Sequence, residues 1–318
     1  MLLAAQRGDE HAFVQLTGPH RRSLHLHCYR MLGSLHDADD ALQETLLRAW
    51  RGLPDYQPRG SLPGWLHRIA TNVALRMIEQ RPPSSGTAEA HLQPYPDRFL
   101  AELESAEDTP EQRTILRERV GLAYIAAMQL LPAKQRAVLA LRDGLGWSAR
   151  DTAELLDDST AAVNSALQRA RERIDREHAD GTIARAHTPT SSRTEAAVIE
   201  AFLDAWADVD IPRIIGLLTD DALLTMPPID MRFSGAETIG EFFATQPLGG
   251  RLQQIKHTRT AANGQPALAS YADGHDTGTH DAYGVMVFAI RGDRIAGITG
   301  FPHDVEVFAH LGLPLALS

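Results

Sequence analysis

Between residues 131 and 174 the apolar positions fall with helical spacing. Val163, Leu167, Ala170 and Ile174 recur at i, i+4, i+7 and i+11 and form one stripe, while Asn164, Ser165, Gln168, Arg169 and Arg171 point away from it. Ser148, with Asp151 three residues later, marks the start of a shorter helix that runs to Leu156. Asp157 and Asp158 follow as the turn, and aspartate tolerates left-handed backbone better than most residues at a corner where glycine is usual. Two helices about a tight turn, the second with a polar outer face that can reach base edges and phosphates, form the pattern of a DNA-binding helix-turn-helix. The same periodicity also fits an ordinary pair of packed core helices.

The first eighty residues are helical almost throughout by the same criterion. Residues 37–51 place Ala41, Leu42, Thr45, Leu46, Ala49 and Trp50 on a buried face and Asp39, Asp40, Gln43, Glu44 and Arg48 outside, with Ser34 and Asp37 spaced as a cap. Residues 65–78 turn Leu66, Ile69, Ala70, Val73 and Met77 to the core and Arg68, Asn72 and Arg76 outward at four-residue spacing. The Gly/Pro-punctuated loop between them carries Tyr56, Arg59, Gly60 and Ser61 and runs into Trp65. Aromatic rings beside basic groups suit a single-stranded base held outside the duplex. A plain helical bundle with such a loop accounts for the same residues equally well.

After residue 194 the pattern changes. An amphipathic helix over 195–207 carries Val198, Phe202 and Trp206, a shorter one follows at 212–218, and another is expected at 236–244. Residues 222–226, 252–262, 267–272, 283–290 and 294–301 have strand composition, with Asn263-Gly264 and Arg291-Gly292-Asp293 as hairpin turns. Residues 81–112 collect Pro, Ser and acidic side chains and read as a linker, as do the polar residues 178–194.

Charge changes what the helix-turn-helix implies. The net charge of −10 divides into +2 over residues 1–82, −4 over 83–186 and −8 over 187–318. A protein that holds DNA unaided shows a strong basic footprint, so intrinsic affinity here is expected to be weak and salt-sensitive, with another molecule supplying much of the grip. The lone Cys28 excludes an internal disulfide framework, no apolar run reaches membrane-spanning length, and the N-terminus lacks a signal-peptide pattern, so a cytoplasmic protein with no membrane partner is expected. Of His25, His27 and Cys28 a single helix presents only His25 and Cys28 on one side, with no fourth ligand, and the group His275, Asp276, His280 and Asp281 lacks a defined ligand spacing, so no metal or other cofactor is expected.

Residues 37–81, DADDALQETLLRAWRGLPDYQPRGSLPGWLHRIATNVALRMIEQR, resemble domain 2 of the extracytoplasmic-function sigma factors of the sigma-70 family. Residues 129–171, QLLPAKQRAVLALRDGLGWSARDTAELLDDSTAAVNSALQRAR, resemble their domain 4. The order of elements after residue 194 is similar to the SnoaL-like, cone-shaped barrel shared by polyketide cyclases and ketosteroid isomerase. The resemblance implies a multidomain fold. Two all-α sigma domains are expected, a domain 2 helical bundle at 1–80 and a domain 4 helix-turn-helix at 113–177, followed by an α+β SnoaL-like barrel at 195–318, with linkers at 81–112 and 178–194.

It also implies roles. Asp39, Asp40, Gln43, Glu44 and Arg48 would bind the β′ clamp helices of core RNA polymerase, which would supply the missing positive charge. Tyr56, Arg59, Gly60 and Ser61, with Trp65, Arg68, Asn72 and Arg76 beside them, would engage the −10 element of promoter DNA. Asn164, Ser165, Gln168 and Arg169 would read the −35 element, with Arg171 and Arg173 on phosphate or solvent. Many relatives carry Arg where this chain has Asn164 and Ala166, and Asn pairs naturally with adenine. The barrel would regulate the sigma factor in cis by packing against the sigma domains or their linker. The alternative is a polymerase-independent DNA-binding regulator that senses a small molecule through the barrel. In ketosteroid isomerase a carboxylate base and an acidic donor meet in an apolar pocket. The corresponding candidates are Asp230, His257, Tyr271, Asp281 and His303, but no catalytic role is assigned to them, and regulation rather than enzymatic activity is expected.

Overall fold

The computed structural model describes residues 1–57, 60–81, 91–104, 109–179, 187, 191–273 and 278–317. The chain divides into two compact units, Met1–Ser85 with Met128–Ile174, and Gly86–Ala127 with Asp175–Ser318. No helix among the described residues is long and apolar enough to cross a membrane.

The first unit is helical. Helices Arg21–Leu32, Leu35–Gly52 and Leu62–Gln80 pack against one another. The second begins where its cap was expected, with Ser34 Oγ accepting the Asp37 N–H at 3.2 Å, and it buries Ala38, Ala41, Leu42, Thr45 and Ala49. Leu46 and Trp50 are only half-buried, and the Trp50 ring meets Phe13 edge-on at 5.1 Å. The third helix buries polar His67 and Thr71 beside the expected Leu66, Ala70 and Val73. Thr71 Oγ1 lies 2.8 Å from His27 Nε2, while His67 uses the Pro63 carbonyl at 2.8 Å and Ser23 Oγ at 3.1 Å. Burial holds both imidazoles below their ordinary pKa; His67 is paired at both ring nitrogens, whereas the buried His27 Nδ1 has no hydrogen-bond partner among the described residues.

The later part of this unit holds helices Ala133–Leu139, Ala149–Leu156 and Thr160–Ala179, the last up to Ile174. It is keyed to the earlier helices by a buried guanidinium. Arg136 donates from Nη1 to the Met31 carbonyl at 2.8 Å and to Gln129 Oε1 at 2.6 Å, and from Nη2 to the Gln129 and Leu131 carbonyls at 2.8 and 3.1 Å. Met31 lies at the end of Arg21–Leu32, where carbonyls lack intrahelical donors and a cation is favoured. Burial, then the Arg81 charge, lowers the Arg136 pKa to about 10, which leaves it a cation at neutral pH. Gly33 closes that helix at φ 76°, and a Cβ there would stand 2.8 Å from the Gln129 side chain, so both conformation and close approach require glycine.

The second unit is built on a sheet of β1 (Leu218–Met226), β2 (Ile229–Ser234), β3 (Ile255–Ala262), β4 (Gln265–Asp273), β5 (His280–Arg291), β6 (Arg294–Pro302) and β7 (Ala316–Leu317). Their order is β2-β1-β6-β5-β4-β3, with β7 on β5, and every pair is antiparallel except β1 with β6. Helices Ser192–Ala207, Ile211–Leu217 and Ala236–Thr245 share an apolar core with it that includes Phe202, Trp206, Ile214, Phe243, Phe288 and Ile298. Five strands and these helices match the sequence expectation. Of the two additional strands, β7 has only two residues, and β2 carries alternating exposed residues, Asp230 and Arg232 among them, and so lacks the composition of a buried strand.

The expected linker at 81–112 is different from the expectation where it is described. It contains helix Asp97–Glu104 and the start of Pro110–Glu118, whose Thr109 and Gln112 form a capping box. The short apolar patch within it is the reason, because Tyr95 and Leu100 are buried in the second unit. The β3–β4 hairpin tip clasps this segment. Asn263 Oδ1 accepts the Tyr95 N–H at 2.7 Å, Asn263 Nδ2 donates to the Val120 carbonyl at 2.7 Å, and the Asn263 N–H donates to the Tyr95 carbonyl at 2.8 Å. The Gly264 N–H donates to Asp97 Oδ1 at 2.8 Å, and Gln265 Oε1 accepts the Leu122 N–H at 2.8 Å. Asn263 and Gly264 both have positive φ, 58° and 70°, the pair required by a type I′ turn.

Candidate nucleic-acid interface

The helix-turn-helix is formed as its caps and stripe predict. Ser148 Oγ accepts the Asp151 N–H at 3.1 Å and starts Ala149–Leu156, and Asp157 ends that helix in the left-handed region at φ 49°. Thr160–Ala179 buries Val163, Ala166, Leu167, Ala170 and Ile174. Asn164, Ser165, Gln168, Arg169, Arg171 and Arg173 are all exposed. Asn164, Ser165, Gln168 and Arg169 occupy the first half of that outward face, the part of a recognition helix that meets base edges. Gln168 Nε2 donates to Glu172 at 2.8 Å, and Arg171 makes a two-pronged pair with Asp143 at 2.7 and 3.2 Å, so these two contacts must open for either side chain to reach DNA. Ala166 faces the core, which removes it from the positions that could read a base.

A second exposed polar surface runs from the loop before Leu62–Gln80 along that helix. Ser61 Oγ accepts the Gly64 N–H at 3.2 Å and sets the helix start. The rings of Tyr56 and Trp65 meet at 4.7 Å, and Tyr56 Oη donates to the Gly60 carbonyl at 3.3 Å. Gln6 Nε2 fastens the loop by donating to the Leu53 and Tyr56 carbonyls at 3.2 and 2.9 Å. Arg59 lies outside the described residues. Asn72 and Arg76 are exposed one turn apart, and half-buried Arg68 donates to Glu154 at 3.2 Å. Glu154 was not singled out by sequence because its partner is 86 residues away.

The third surface is on Leu35–Gly52. His36, Asp40, Gln43, Leu47 and Arg51 are exposed at spacings of four, three, four and four residues and form one stripe. Asp39, Glu44 and Arg48 flank it half-buried, with Arg48 Nε 2.6 Å from Glu44 and Asp39 3.2 Å from His25 Nε2. Leu47, like His36 and Arg51, is a member that sequence reading missed. A leucine 43% exposed at the centre of a charged stripe is apolar surface presented to water, and its heptad relation to Asp40 was the available signal. Cys28 beneath this region is fully buried, and burial raises its thiol pKa to about 12.

The candidates in the sheet unit do not meet in one place. Asp230 and Asp281 are exposed, on β2 and β5. Tyr271 packs against Phe308 and donates from its hydroxyl to the Pro314 carbonyl at 3.1 Å. His257 is edge-on to Trp206 at 4.7 Å, and its Nδ1 lies 3.1 Å from Ser270 Oγ. Burial lowers the His257 pKa to about 4. His303 is exposed and meets the Tyr283 ring edge-on at 5.1 Å. Only His303 among the five lines the cavity walled by Trp206, Phe242, Phe243 and Met286, whereas Ser270 does so in place of Tyr271. The correction follows from strand geometry, because neighbours on a strand point to opposite faces.

Residues 16–82 match the sigma-70 region 2 family, residues 121–174 the sigma-70 region 4 family and residues 199–298 the SnoaL-like domain family. The chain is 38% identical over 327 aligned residues to the ECF RNA polymerase sigma factor SigG of Mycobacterium tuberculosis, covering 98% of this chain and 86% of that one. It is 32% identical over 176 residues to SigM of the same species, covering 55% and 82%. Among solved structures, the M. tuberculosis extracytoplasmic function sigma factor SigJ has the same fold, with a TM-score of 0.65 at 19% identity over 95% of this chain and 99% of that one.

Proposed function

The chain belongs to the extracytoplasmic-function RNA polymerase sigma factors, which direct promoter-specific transcription initiation, and from that premise we propose how its surfaces divide the task. The observation that carries the proposal is the outward half of Thr160–Ala179, where Asn164, Ser165, Gln168 and Arg169 stand exposed on a helix whose other face is sunk in the core. These four read the −35 element, with Asn164 suited to adenine and Arg169 to guanine, and Arg171 and Arg173 reach phosphate. Tyr56, Arg59, Gly60 and Ser61, with Trp65, Arg68, Asn72 and Arg76, hold the −10 element, the rings offering a stacking surface to an unpaired base. The Leu35–Gly52 stripe binds the β′ clamp helices of core polymerase through Asp39, Asp40, Gln43, Glu44 and Arg48, and Leu47 adds an apolar anchor. The SnoaL-like domain regulates in cis rather than by catalysis. It clasps Tyr95, Asp97, Val120 and Leu122, in the segment that joins the two promoter-reading regions, and so sets the freedom of that segment.

Charge reversal tests the first contact. A chain carrying Asp39→Lys, Asp40→Lys and Glu44→Lys is expected to lose core binding in a pull-down with purified polymerase while keeping its helical circular dichroism. Leu47→Ala alone is expected to weaken binding about tenfold, the scale of one buried leucine at an interface. Core affinity unchanged in both variants would refute the assignment.

A further inference from the structure

The match to the sigma-70 region 2 family begins at residue 16, and the chain before it is folded onto the helical unit. Helix Leu2–Gln6 turns back into helix Glu10–Thr17, which starts where Asp9 Oδ1 accepts the Ala12 N–H at 3.0 Å. The Asp9 N–H donates to the Ala4 carbonyl at 3.2 Å, which ties the second helix to the first. Ala5 and Ala12 are buried together with Leu53, and Phe13, Tyr56 and Trp65 pack against that small cluster. The N-terminal helix is thereby seated on the short turn Leu53–Tyr56 that leads into the promoter-facing loop.

Gln6, the half-buried last residue of the first helix, makes that seat specific. Its Nε2 donates to the Leu53 carbonyl at 3.2 Å and to the Tyr56 carbonyl at 2.9 Å. Both partners only accept, so the amide presents its NH2 group, and its two hydrogens serve the two carbonyls. The Tyr56 N–H donates to the same Leu53 carbonyl at 3.1 Å. Peptide groups are planar, so the Cα of Tyr56 stands between two planes that are each tied down, one through its N–H to Leu53 and the other through its C=O to Gln6. These bonds hold Tyr56 at φ −65° and ψ 119°, and with them the direction in which its side chain leaves the backbone. The ring then meets Trp65 at 4.7 Å with the planes 41° apart, and its Oη donates to the Gly60 carbonyl at 3.3 Å.

Both rings are half-buried and keep part of their surface in solvent. We propose that Gln6 is a positioning residue for promoter opening, which holds the Tyr56–Trp65 pair in the arrangement on which an unpaired −10 base stacks and so sets the rate of strand separation without a base contact of its own. The proposal rests on the assignment of Tyr56 and Trp65 to the −10 element. Without Gln6, Tyr56 must be ordered during opening, and two neutral hydrogen bonds at the modest end of their range correspond to about tenfold in that step.

Permanganate reactivity of thymines reads strand separation by the holoenzyme on the promoter region of the chain's own gene. The dependence of the opening rate on holoenzyme concentration separates initial binding from the isomerisation that follows. Gln6→Ala holoenzyme is expected to isomerise about tenfold more slowly, while initial binding and core affinity stay within about twofold. Gln6→Lys keeps a donor of similar reach and is expected to isomerise within about threefold of the parent. A double-mutant cycle with Tyr56→Ala supplies the readout that general stability does not move. If Gln6 acts through Tyr56, Gln6→Ala costs less than about twofold once the Tyr56 ring is gone, whereas a loss caused by unfolding of helix Leu2–Gln6 adds in full. An isomerisation rate unchanged in Gln6→Ala, a loss confined to initial binding, Gln6→Lys as slow as Gln6→Ala, or full additivity in the cycle would overturn the proposal. Opening at the parent rate by Tyr56→Ala, or no opening by the parent, would overturn the −10 assignment as well, so the two failures are told apart.

Discussion

Asn263→Ala removes the centre of the clasp on the interdomain segment. The side chain is fully buried and makes two 2.7 Å bonds, accepting from the Tyr95 N–H and donating to the Val120 carbonyl. Alanine leaves both partners buried without a replacement, at about 1–3 kcal/mol each, and places a Cβ-bearing residue with little αL tolerance at a positive φ, about 1 kcal/mol more. The combined loss is on the order of 4 kcal/mol, close to a thousandfold in a local opening equilibrium. Native-state hydrogen exchange reads it directly. The Tyr95 amide, which loses its acceptor, is expected to exchange about a thousandfold faster where local opening governs its protection. Asn263→Gly separates the contributions, since glycine keeps the positive φ but loses both side-chain bonds, and its Tyr95 amide should also be deprotected. Tyr95 exchange at the wild-type rate in both variants would refute the reasoning.

Two further perturbations follow from buried charge. Burial raises the Asp97 pKa to about 6 against the opposing pull of the Gly264 N–H and the Arg117 cation. The folded chain therefore holds a proton that an unfolded aspartate releases near pH 4. This group makes stability fall as pH rises from about 4 to 6, by on the order of 3 kcal/mol in all, and then level off. Asp97→Asn should remove that slope and leave the chain more stable than its parent at pH 7.5 but equal near pH 4 in urea unfolding; parallel pH profiles would contradict this. Arg136→Ala should destabilise the helical unit by about 3–5 kcal/mol in the same assay, because the Met31, Gln129 and Leu131 carbonyls lose their donor, and a change below about 1 kcal/mol would contradict the keying role.

The local rules of the helices were legible in sequence because their signals lie within a few residues. Ser34 and Ser148 cap the helices they were expected to start, and the Val163, Leu167, Ala170 and Ile174 stripe is buried as its period implies. Contacts made across the fold were not legible. Asn263-Gly264 announced a turn, yet nothing local indicates that the Asn263 side chain reaches Tyr95, 168 residues earlier. The segment called a linker by composition contains only a few apolar residues, and those few decide its burial. On β4 the error was one of parity, since choosing Tyr271 for its acidic hydroxyl selected the face opposite to Ser270. Leu47 was not legible because helical periodicity assigns apolar residues to the inside and polar ones to the outside, and an exposed leucine within a polar stripe breaks that division.

Run-off transcription tests the central claim most directly, using core polymerase loaded equally with the full chain or with its Asn263→Ala variant, on the promoter region of the chain's own gene. The account predicts no transcript from core polymerase alone, specific initiation with the full chain, and a change of at least about fivefold when the clasp is broken, the lower bound of ordinary coupling between sites. Equal transcript from the two loaded polymerases would contradict regulation through the clasped segment, and no initiation above core alone would contradict the account as a whole.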